Sequence, residues 1–132
     1  MDPFNIIVRI NSSDAHYGGN VVSGARILEF FGDAVTGLSA MNDGDEGLLA
    51  TWKDVHFLKS VHPGDFIKID AIITRQTKLR RFVSVTASRF IRHACNHNST
   101  VEIIEPQECI ANATGVIVIP FKTAHDRSKY EK

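Results

Sequence analysis

A single stretch of helical periodicity, residues 23–40, interrupts a chain whose other segments alternate like β-strands. Its apolar and small residues recur at steps of three and four and form one stripe: Gly24, Ile27, Leu28, Phe31, Ala34, Val35 and Leu38. This spacing predicts an amphipathic helix of about five turns, whose stripe must be buried against another layer. A line of small residues, Ala25, Gly32 and Ser39, is expected to let a sheet approach closely. The Gly- and Asp-rich residues 42–47 end the helix.

The remaining segments predict β-strands, because β-branched and alternating apolar residues lie between turn residues. The predicted strands cover residues 6–10, 48–61, 66–74, 82–91 and 109–121. A polar connection is expected over residues 93–108, with a short strand at 101–104 as an option. One long helix followed by strands with short turns is an α+β pattern, in which an antiparallel sheet wraps the helix.

Length and charge limit the class of protein. With 132 residues and 43% hydrophobic content, we expect one domain over residues 1–132, with 123–132 as a loose charged tail. Fifteen basic and fifteen acidic residues cancel, which favours neither nucleic acid nor an anionic membrane as a partner. Residues 1–14 have neither the basic region nor the long apolar region of a signal peptide, so we expect none there, and no run approaches the roughly 18 apolar residues of a membrane span. We therefore expect a soluble cytoplasmic protein.

The polar, glycine-bearing loop before the helix is the first place to expect chemistry. Residues 14–24 read DAHYGGNVVSG and place a His and a carboxylate where loop becomes helix. Backbone N–H groups of Gly24 and Ala25 would be unpaired at the helix N-terminus, where partial positive charge stabilises a developing oxyanion. The alternative for Gly24 is that it only eases the turn or helix packing.

At these residues the chain resembles the hotdog superfamily, whose members act on acyl-CoA or acyl-carrier-protein thioesters. The loop is similar to that of acyl-CoA thioesterases, but His16 stands where those enzymes usually carry Asn. Phe31 falls where they carry the catalytic Asp. His16, Gly19, Gly24 and Glu29 resemble instead the His-x-x-Gly…Gly…Glu pattern of hotdog dehydratases, with the His-to-Glu spacing one residue shorter.

A narrower resemblance is to the 3-aminobutyryl-CoA and β-alanyl-CoA ammonia-lyases. Four motifs in order carry it: DAHYGGNVVSGA at 14–25, FGD at 31–33, DGDEG at 43–47 and PGDF at 63–66. Those enzymes reversibly remove ammonia from a 3-aminoacyl-CoA to give an enoyl-CoA, as in amino-acid fermentation. The resemblance implies a hotdog fold, a short 3-aminoacyl-CoA substrate with 3-aminobutyryl-CoA as first choice, and a homodimer or larger homo-oligomer with the site between subunits.

The expected catalytic residues are His16, Glu29, Asp14 and Asp33. His16 and Glu29 would act as acid and base, because an imidazole and a carboxylate in a partly apolar cleft titrate near neutrality. Which of the two takes the proton stays open. Asp14 and Asp33 would supply negative charge near the departing ammonium. The alternatives are an exposed loop histidine at 16, a loop cap at Asp14 and a solvated Glu29 paired with Arg26.

The expected substrate-binding residues are Tyr17, Gly24, Ala25, Asp45, Glu46, Arg80 and Arg81. Asp45 and Glu46 would add negative charge near the ammonium, unless residues 43–47 form only a helix-ending turn. Arg80 and Arg81 belong to a basic run, 78–81, that could meet CoA phosphates, unless it is a solvated hairpin turn.

Two other functions and one metal site remain alternatives. The chain could be an acyl-CoA thioesterase, against which Phe31 counts, or a non-catalytic acyl-CoA-binding protein. His93, Cys95 and His97 lie at two-residue spacing and could bind zinc, but nothing supplies a fourth ligand. We therefore expect no metal, and no cofactor beyond the CoA that is part of the substrate.

Overall fold

The structure is a computed structural model that describes residues 2–15, 17–94 and 98–126. Its elements, in chain order, are β1 (Phe4–Arg9), a 3₁₀ turn (Ser12–Asp14), α1 (Gly24–Asp43), β2 (Leu48–Phe57), β3 (Phe66–Gln76), β4 (Arg80–His93), β5 (Val101–Val118) and α2 (Phe121–Asp126). The strands form one antiparallel sheet in the order β1-β3-β4-β5-β2, and α1 lies against it. The predicted α+β architecture is confirmed. Within the described part of the chain, no helix is long and apolar enough to cross a membrane.

Helix α1 begins and ends at residues suited to those positions. The Ser23 side chain accepts a hydrogen bond from the Arg26 N–H, and Gly44 closes the other end at φ 66° with its N–H donating to the Ala40 carbonyl. The helix therefore runs three residues beyond the predicted end, because the chain stays helical until a glycine adopts the left-handed conformation. Its buried face consists of Ile27, Phe30, Phe31, Ala34, Val35, Leu38 and Ser39.

The core lies between this face and the inner faces of the central strands. Alternate residues of β3 and β4 are buried there, namely Ile67, Ile69, Ala71, Val83, Val85 and Ala87. Trp52 from β2 contacts the fully buried Phe31, with ring centroids 6.1 Å apart. This apolar layer fixes the direction of α1 and so the position of its two ends.

Close approach to α1 occurs at glycines other than those of the predicted small-residue line. A Cβ atom at Gly37 would overlap the Phe4 ring, and one at Gly24 would lie 2.8 Å from the Phe57 ring. Gly32, in contrast, has open space around it. Aromatic rings therefore approach the helix at Gly24 and Gly37.

Two predicted segments differ from the observed structure. In the segment predicted as a polar connection, 93–108, the optional strand at 101–104 is confirmed, since β5 pairs there with β4, for example Ile103 with Ile91; the connection predicted after it is wrong, because β5 runs on without a break. The loose tail predicted from residue 123 is wrong for its first part, since α2 extends to Asp126. The Thr123 hydroxyl donates to Asp45 at 2.7 Å and ties α2 to the rest of the fold. The later tail lies outside the described residues.

Candidate active site at the N-terminus of the long helix

Arg26, in the first turn of α1, joins two of the predicted catalytic carboxylates. Its Nε donates to Asp14 Oδ1 at 2.8 Å, and its Nη1 donates to Glu29 Oε2 at 2.9 Å. The Phe30 ring lies 4.3 Å from the guanidinium carbon, which adds a cation–π contact. The hydrogen bond to Asp14 is the main cause that raises the pKa of Arg26, and desolvation opposes it. Arg26 thus holds Asp14 and Glu29 in one cluster as a permanent cation.

Asp14 occupies a buried position at the end of the 3₁₀ turn, with its side chain 8% exposed. Its Oδ2 accepts the backbone N–H of Asn11 at 2.9 Å, while Oδ1 faces Arg26. The cap that the sequence left open as an alternative is therefore present, together with an ion pair that the sequence did not predict. Both contacts fix the loop that precedes α1.

Glu29 lies on the outer side of α1 with its side chain 66% exposed. The pair with Arg26 is the structural alternative that the sequence left open for Glu29. That pair uses Oε2, and among the residues described here nothing donates to Oε1. Asp33 lies one turn further along, is exposed, and forms no ion pair within the described ranges. The structure therefore brings Asp14 and Glu29 together through Arg26 and leaves Asp33 beside them.

The first turn of α1 leaves two backbone donors open. Ser23 satisfies the N–H groups of Arg26 and Ile27 through its hydroxyl and carbonyl. In the part of the chain that is described, no acceptor meets the N–H of Gly24 or of Ala25. Two adjacent donors at a helix N-terminus can bind a developing oxyanion.

Gly24 also has a packing role. A Cβ atom at residue 24 would lie 2.8 Å from two carbons of the Phe57 ring, so any other residue there would require the ring to shift. The packing alternative for Gly24 is therefore real, and it is compatible with the open N–H of the same residue. Gly24 is half-buried. It contacts the Phe57 ring, and its own backbone N–H remains a free donor among the residues that the structure describes.

The loop before α1 reverses direction through two left-handed residues. Gly19 has φ 76° and Asn20 has φ 61°, and the Tyr17 N–H donates to the Val21 carbonyl at 3.2 Å. Tyr17 is exposed beside this turn. His16, the predicted acid or base, lies outside the described residues.

Four predicted substrate-binding residues lie at the opposite end of α1. Asp45 and Glu46 follow the helix C-terminus, and Arg80 and Arg81 begin β4 close to that end. A helix of 20 residues is about 30 Å long, so these residues are far from Gly24 of the same subunit. Within one subunit they do not lie beside Asp14 and Glu29, and their role in substrate binding stays a prediction.

Arg81 is wrong as a surface residue for CoA phosphates. Arg81 and Asp43 are both 1% exposed, and the guanidinium binds the Asp43 carboxylate through two hydrogen bonds of 2.9 and 2.8 Å. Arg80 next to it is exposed. Asp45 holds the turn after the helix, since its Oδ1 accepts the Gly47 N–H at 2.7 Å. These contacts favour the turn alternative for residues 43–47.

A surface depression is lined in part by the loop that precedes α1. It has a volume of about 260 Å³ and is lined by Gly19, Asn20, His62, Pro63, Asp65, Arg92 and His93. His93 was also one of three zinc candidates, but Cys95 and His97 lie outside the described residues. Among the residues that are described, no group of three potential ligands could hold a metal.

Comparison with known proteins assigns the family. No protein-family model matches the chain. The curated 3-aminobutyryl-CoA ammonia lyase of Acetoanaerobium sticklandii is 39% identical over 114 residues, which cover 86% of this chain and 90% of that protein. The chain belongs to the 3-aminobutyryl-CoA ammonia lyase family. The family resemblance in the loop and turn motifs is thus confirmed.

Solved structures confirm the hotdog fold. The β-alanyl-CoA:ammonia lyase from Clostridium propionicum superposes with a TM-score of 0.84 at 29% identity, covering 93% of this chain and 90% of that one. A hexameric hotdog fold thioesterase of Campylobacter jejuni gives a TM-score of 0.73 at 14% identity, with 97% of each chain covered. At that identity the second likeness shows the fold alone.

Two residues of this cluster had little or no place in the sequence prediction. Arg26 entered only as a partner of Glu29, and Phe57 did not enter at all. The three-residue spacing of Arg26 and Glu29 on the helix was a usable signal for their pair, whereas nothing local placed Arg26 next to Asp14. No local pattern could place Phe57 on Gly24, because that contact joins residues 33 positions apart.

Proposed function

We propose that this protein is an ammonia lyase that reversibly eliminates ammonia from a short 3-aminoacyl-CoA, with 3-aminobutyryl-CoA as the first candidate. The observation that carries the proposal is the 39% identity to a 3-aminobutyryl-CoA ammonia lyase over most of both chains. The cluster at the start of α1 supports it, because open backbone donors lie beside a carboxylate held in place by an arginine.

The thioester would bind with its carbonyl oxygen at the N–H groups of Gly24 and Ala25. Negative charge that develops on this oxygen makes the α-proton more acidic, and the helix N-terminus stabilises it. A base removes the α-proton, the electron pair forms the Cα–Cβ double bond, and the C–N bond breaks. The product is an enoyl-CoA, and the amine leaves from its protonated form.

His16 and Glu29 remain the proposed acid and base. The open Oε1 of Glu29 is available to a substrate proton or ammonium, while Oε2 stays on Arg26. We propose that Asp14 acts through Arg26, because its carboxylate contacts the guanidinium. Asp33 adds negative charge one turn away, which favours a cationic amine near the site. Proton transfer alone drives these steps, so the proposal includes no cofactor.

We further propose a homodimer, or a larger assembly of dimers, as the active form. Strand β2 is an edge strand, and several large apolar side chains are exposed along it and just beyond its end: Leu48, Leu49, Phe57 and Leu58. Edge strands with such side chains favour pairing with another copy. Isologous pairing there would place the start of one α1 near the partner's helix and complete a site between subunits.

The thioesterase alternative receives no support from the helix. Phe31, which stands where thioesterases carry Asp, is fully buried against Trp52 and offers no polar group. A hydrolase would therefore need its carboxylate elsewhere.

The direct test is to mix the purified protein with crotonyl-CoA and ammonium. We expect the enoyl absorbance to fall only when ammonium is present, with no release of free thiol. Thiol release from saturated acyl-CoAs would instead identify a hydrolase. Binding of CoA thioesters with neither reaction would identify a binding protein. Parallel reactions with acrylyl-CoA would separate β-alanyl-CoA from 3-aminobutyryl-CoA as the product.

A further inference from the structure

Phe57 lies at the point where the edge strand reaches the start of the long helix. It is the last residue of β2 and pairs with Ala111 of β5. Its ring touches the first residue of α1, since a Cβ atom at Gly24 would lie 2.8 Å from two ring carbons. A glycine at the helix start is thus what admits the ring.

The exposure of Phe57 sets it apart from the other aromatic residues of this region. The ring is 51% exposed, whereas Phe30 and Phe31 on α1 are buried in the core. The exposed part of this ring lies beside two backbone N–H groups that are unpaired within the described residues. It can therefore contact an apolar group of a molecule that binds there. A ligand bound at the Gly24 and Ala25 donors would lie next to this ring.

The distances relate the ring to a bound thioester. A carbonyl oxygen that accepts from the Gly24 or Ala25 N–H lies about 2.9 Å from the nitrogen. The Phe57 ring already contacts Gly24, so the acyl carbons next to that carbonyl would come within van der Waals reach of the ring.

We infer that Phe57 is a specificity-determining residue, whose ring closes the acyl site and restricts it to short 3-aminoacyl and enoyl chains. This inference rests on the proposed function. It adds a residue and a physical cause to the chain-length preference, which the sequence left open.

The test compares ammonia addition to crotonyl-CoA with addition to hex-2-enoyl-CoA, which has two more carbons. In Phe57→Ala the ratio of kcat/KM for the six-carbon to the four-carbon substrate is expected to rise by about tenfold or more, as one or two methylenes in an apolar pocket allow. Phe57→Leu is expected to change the ratio in the same direction by less. Ile7→Ala is the control, because Ile7 is also a large exposed apolar side chain but lies on β1, at the opposite edge of the sheet.

The outcomes separate the inference from the function. If the wild-type protein adds ammonia to crotonyl-CoA but Phe57→Ala keeps the wild-type ratio, the inference is overturned and the proposed function stands. If the wild-type protein adds no ammonia, the proposed function itself fails. Because Phe57 lies on the proposed interface strand, each variant's size is measured by light scattering. If Phe57→Ala does not assemble, Phe57→Leu decides, and an unchanged ratio in that variant overturns the inference.

Discussion

The two ends of helix α1 carry the same kind of ion pair in opposite settings. At the C-terminal end, Arg81 binds both oxygens of Asp43, and both side chains are 1% exposed. Arg81 also donates to the backbone carbonyls of Thr77 and Arg80. All three guanidinium nitrogens of Arg81 thus donate hydrogen bonds to groups of the same fold.

At the N-terminal end, Arg26 also holds carboxylates, but in contact with solvent. It binds the buried Asp14 and the mostly exposed Glu29. Beside it, Gly24 and Ala25 offer backbone donors, and Phe57 offers apolar surface. Groups of this kind can change partners when a ligand arrives.

The difference shows that burial decides what an arginine–carboxylate pair does. A buried pair cannot be opened without leaving a charge in the core, so it contributes to the fold. Opening a half-exposed pair costs little free energy, so one of its carboxylates can contact a substrate instead. The same residue types therefore close one end of the helix and leave the other available for chemistry.

The largest expected effect comes from breaking the buried pair. Asp43→Ala leaves the Arg81 charge buried without its carboxylate, and we expect it to lower the free energy of unfolding by about 3–5 kcal/mol. Urea denaturation of wild-type and variant protein measures this. Asp70→Ala is the control, because the Lys68–Asp70 pair is longer, at 3.9 Å, and partly exposed. That control should cost less than about 1 kcal/mol, and equal losses in the two variants would contradict the comparison.

A pair of intermediate burial should give a pH-dependent effect. Glu108 is 18% exposed, and hydrogen bonds from Lys59 and then Arg89 lower its pKa to about 2. Because the folded-state pKa is depressed, the stabilisation is fully present above pH 4.5 and is lost as the pH falls toward 2. It amounts to at most about 3 kcal/mol.

The measurement compares the free energy of unfolding of wild-type protein and Glu108→Gln from pH 7 down to pH 3. We expect the difference between the two proteins to be largest at pH 7 and to shrink below pH 4.5. A difference that stays constant over this range would show that the Glu108 charge does not stabilise the fold.

The smallest expected effect concerns the geometry of the Arg26 contacts at the N-terminal end of α1. Arg26→Lys keeps the positive charge but loses the planar fork that binds Asp14 and Glu29 together. We expect kcat/KM for ammonia addition to fall by about tenfold, mainly through kcat, while the free energy of unfolding changes by less than about 1 kcal/mol. The matched control is Arg92→Lys, which alters an exposed Arg92–Glu102 pair elsewhere. If Arg26→Lys were as active as Arg92→Lys, Arg26 would have no positioning role.

Much of the fold followed from periodicity. The apolar stripe of α1 predicted its buried face, and alternation predicted the inward residues of β3 and β4. Strand β5 was predicted only in part, as an optional short strand at 101–104 and a strand at 109–121, because the polar residues among 101–108 look like a connection. Their strand conformation comes from pairing with β4, which is a contact that no local pattern contains.

The site was predicted only in part. The loop and the helix start were correctly located as the place where carboxylates and open donors meet. Arg81 was misplaced although a signal existed, since it lies two residues before Val83 and so shares its inward face. The charge of the basic run 78–81 suggested an exposed phosphate-binding site. The two-residue alternation of a β-strand predicts instead that the Arg81 side chain points into the core.

The Glu29→Gln variant tests most directly whether catalysis takes place at the N-terminal end of α1. Its rate of ammonia addition to crotonyl-CoA is compared with that of Glu102→Gln, which alters a similarly exposed arginine–glutamate pair between β4 and β5. We expect Glu29→Gln to lower kcat by about a hundredfold or more, with unfolding unchanged, because an acid or base is lost. Glu102→Gln should keep the wild-type rate. A Glu29→Gln protein as active as Glu102→Gln would contradict the assignment of catalysis to this end of α1.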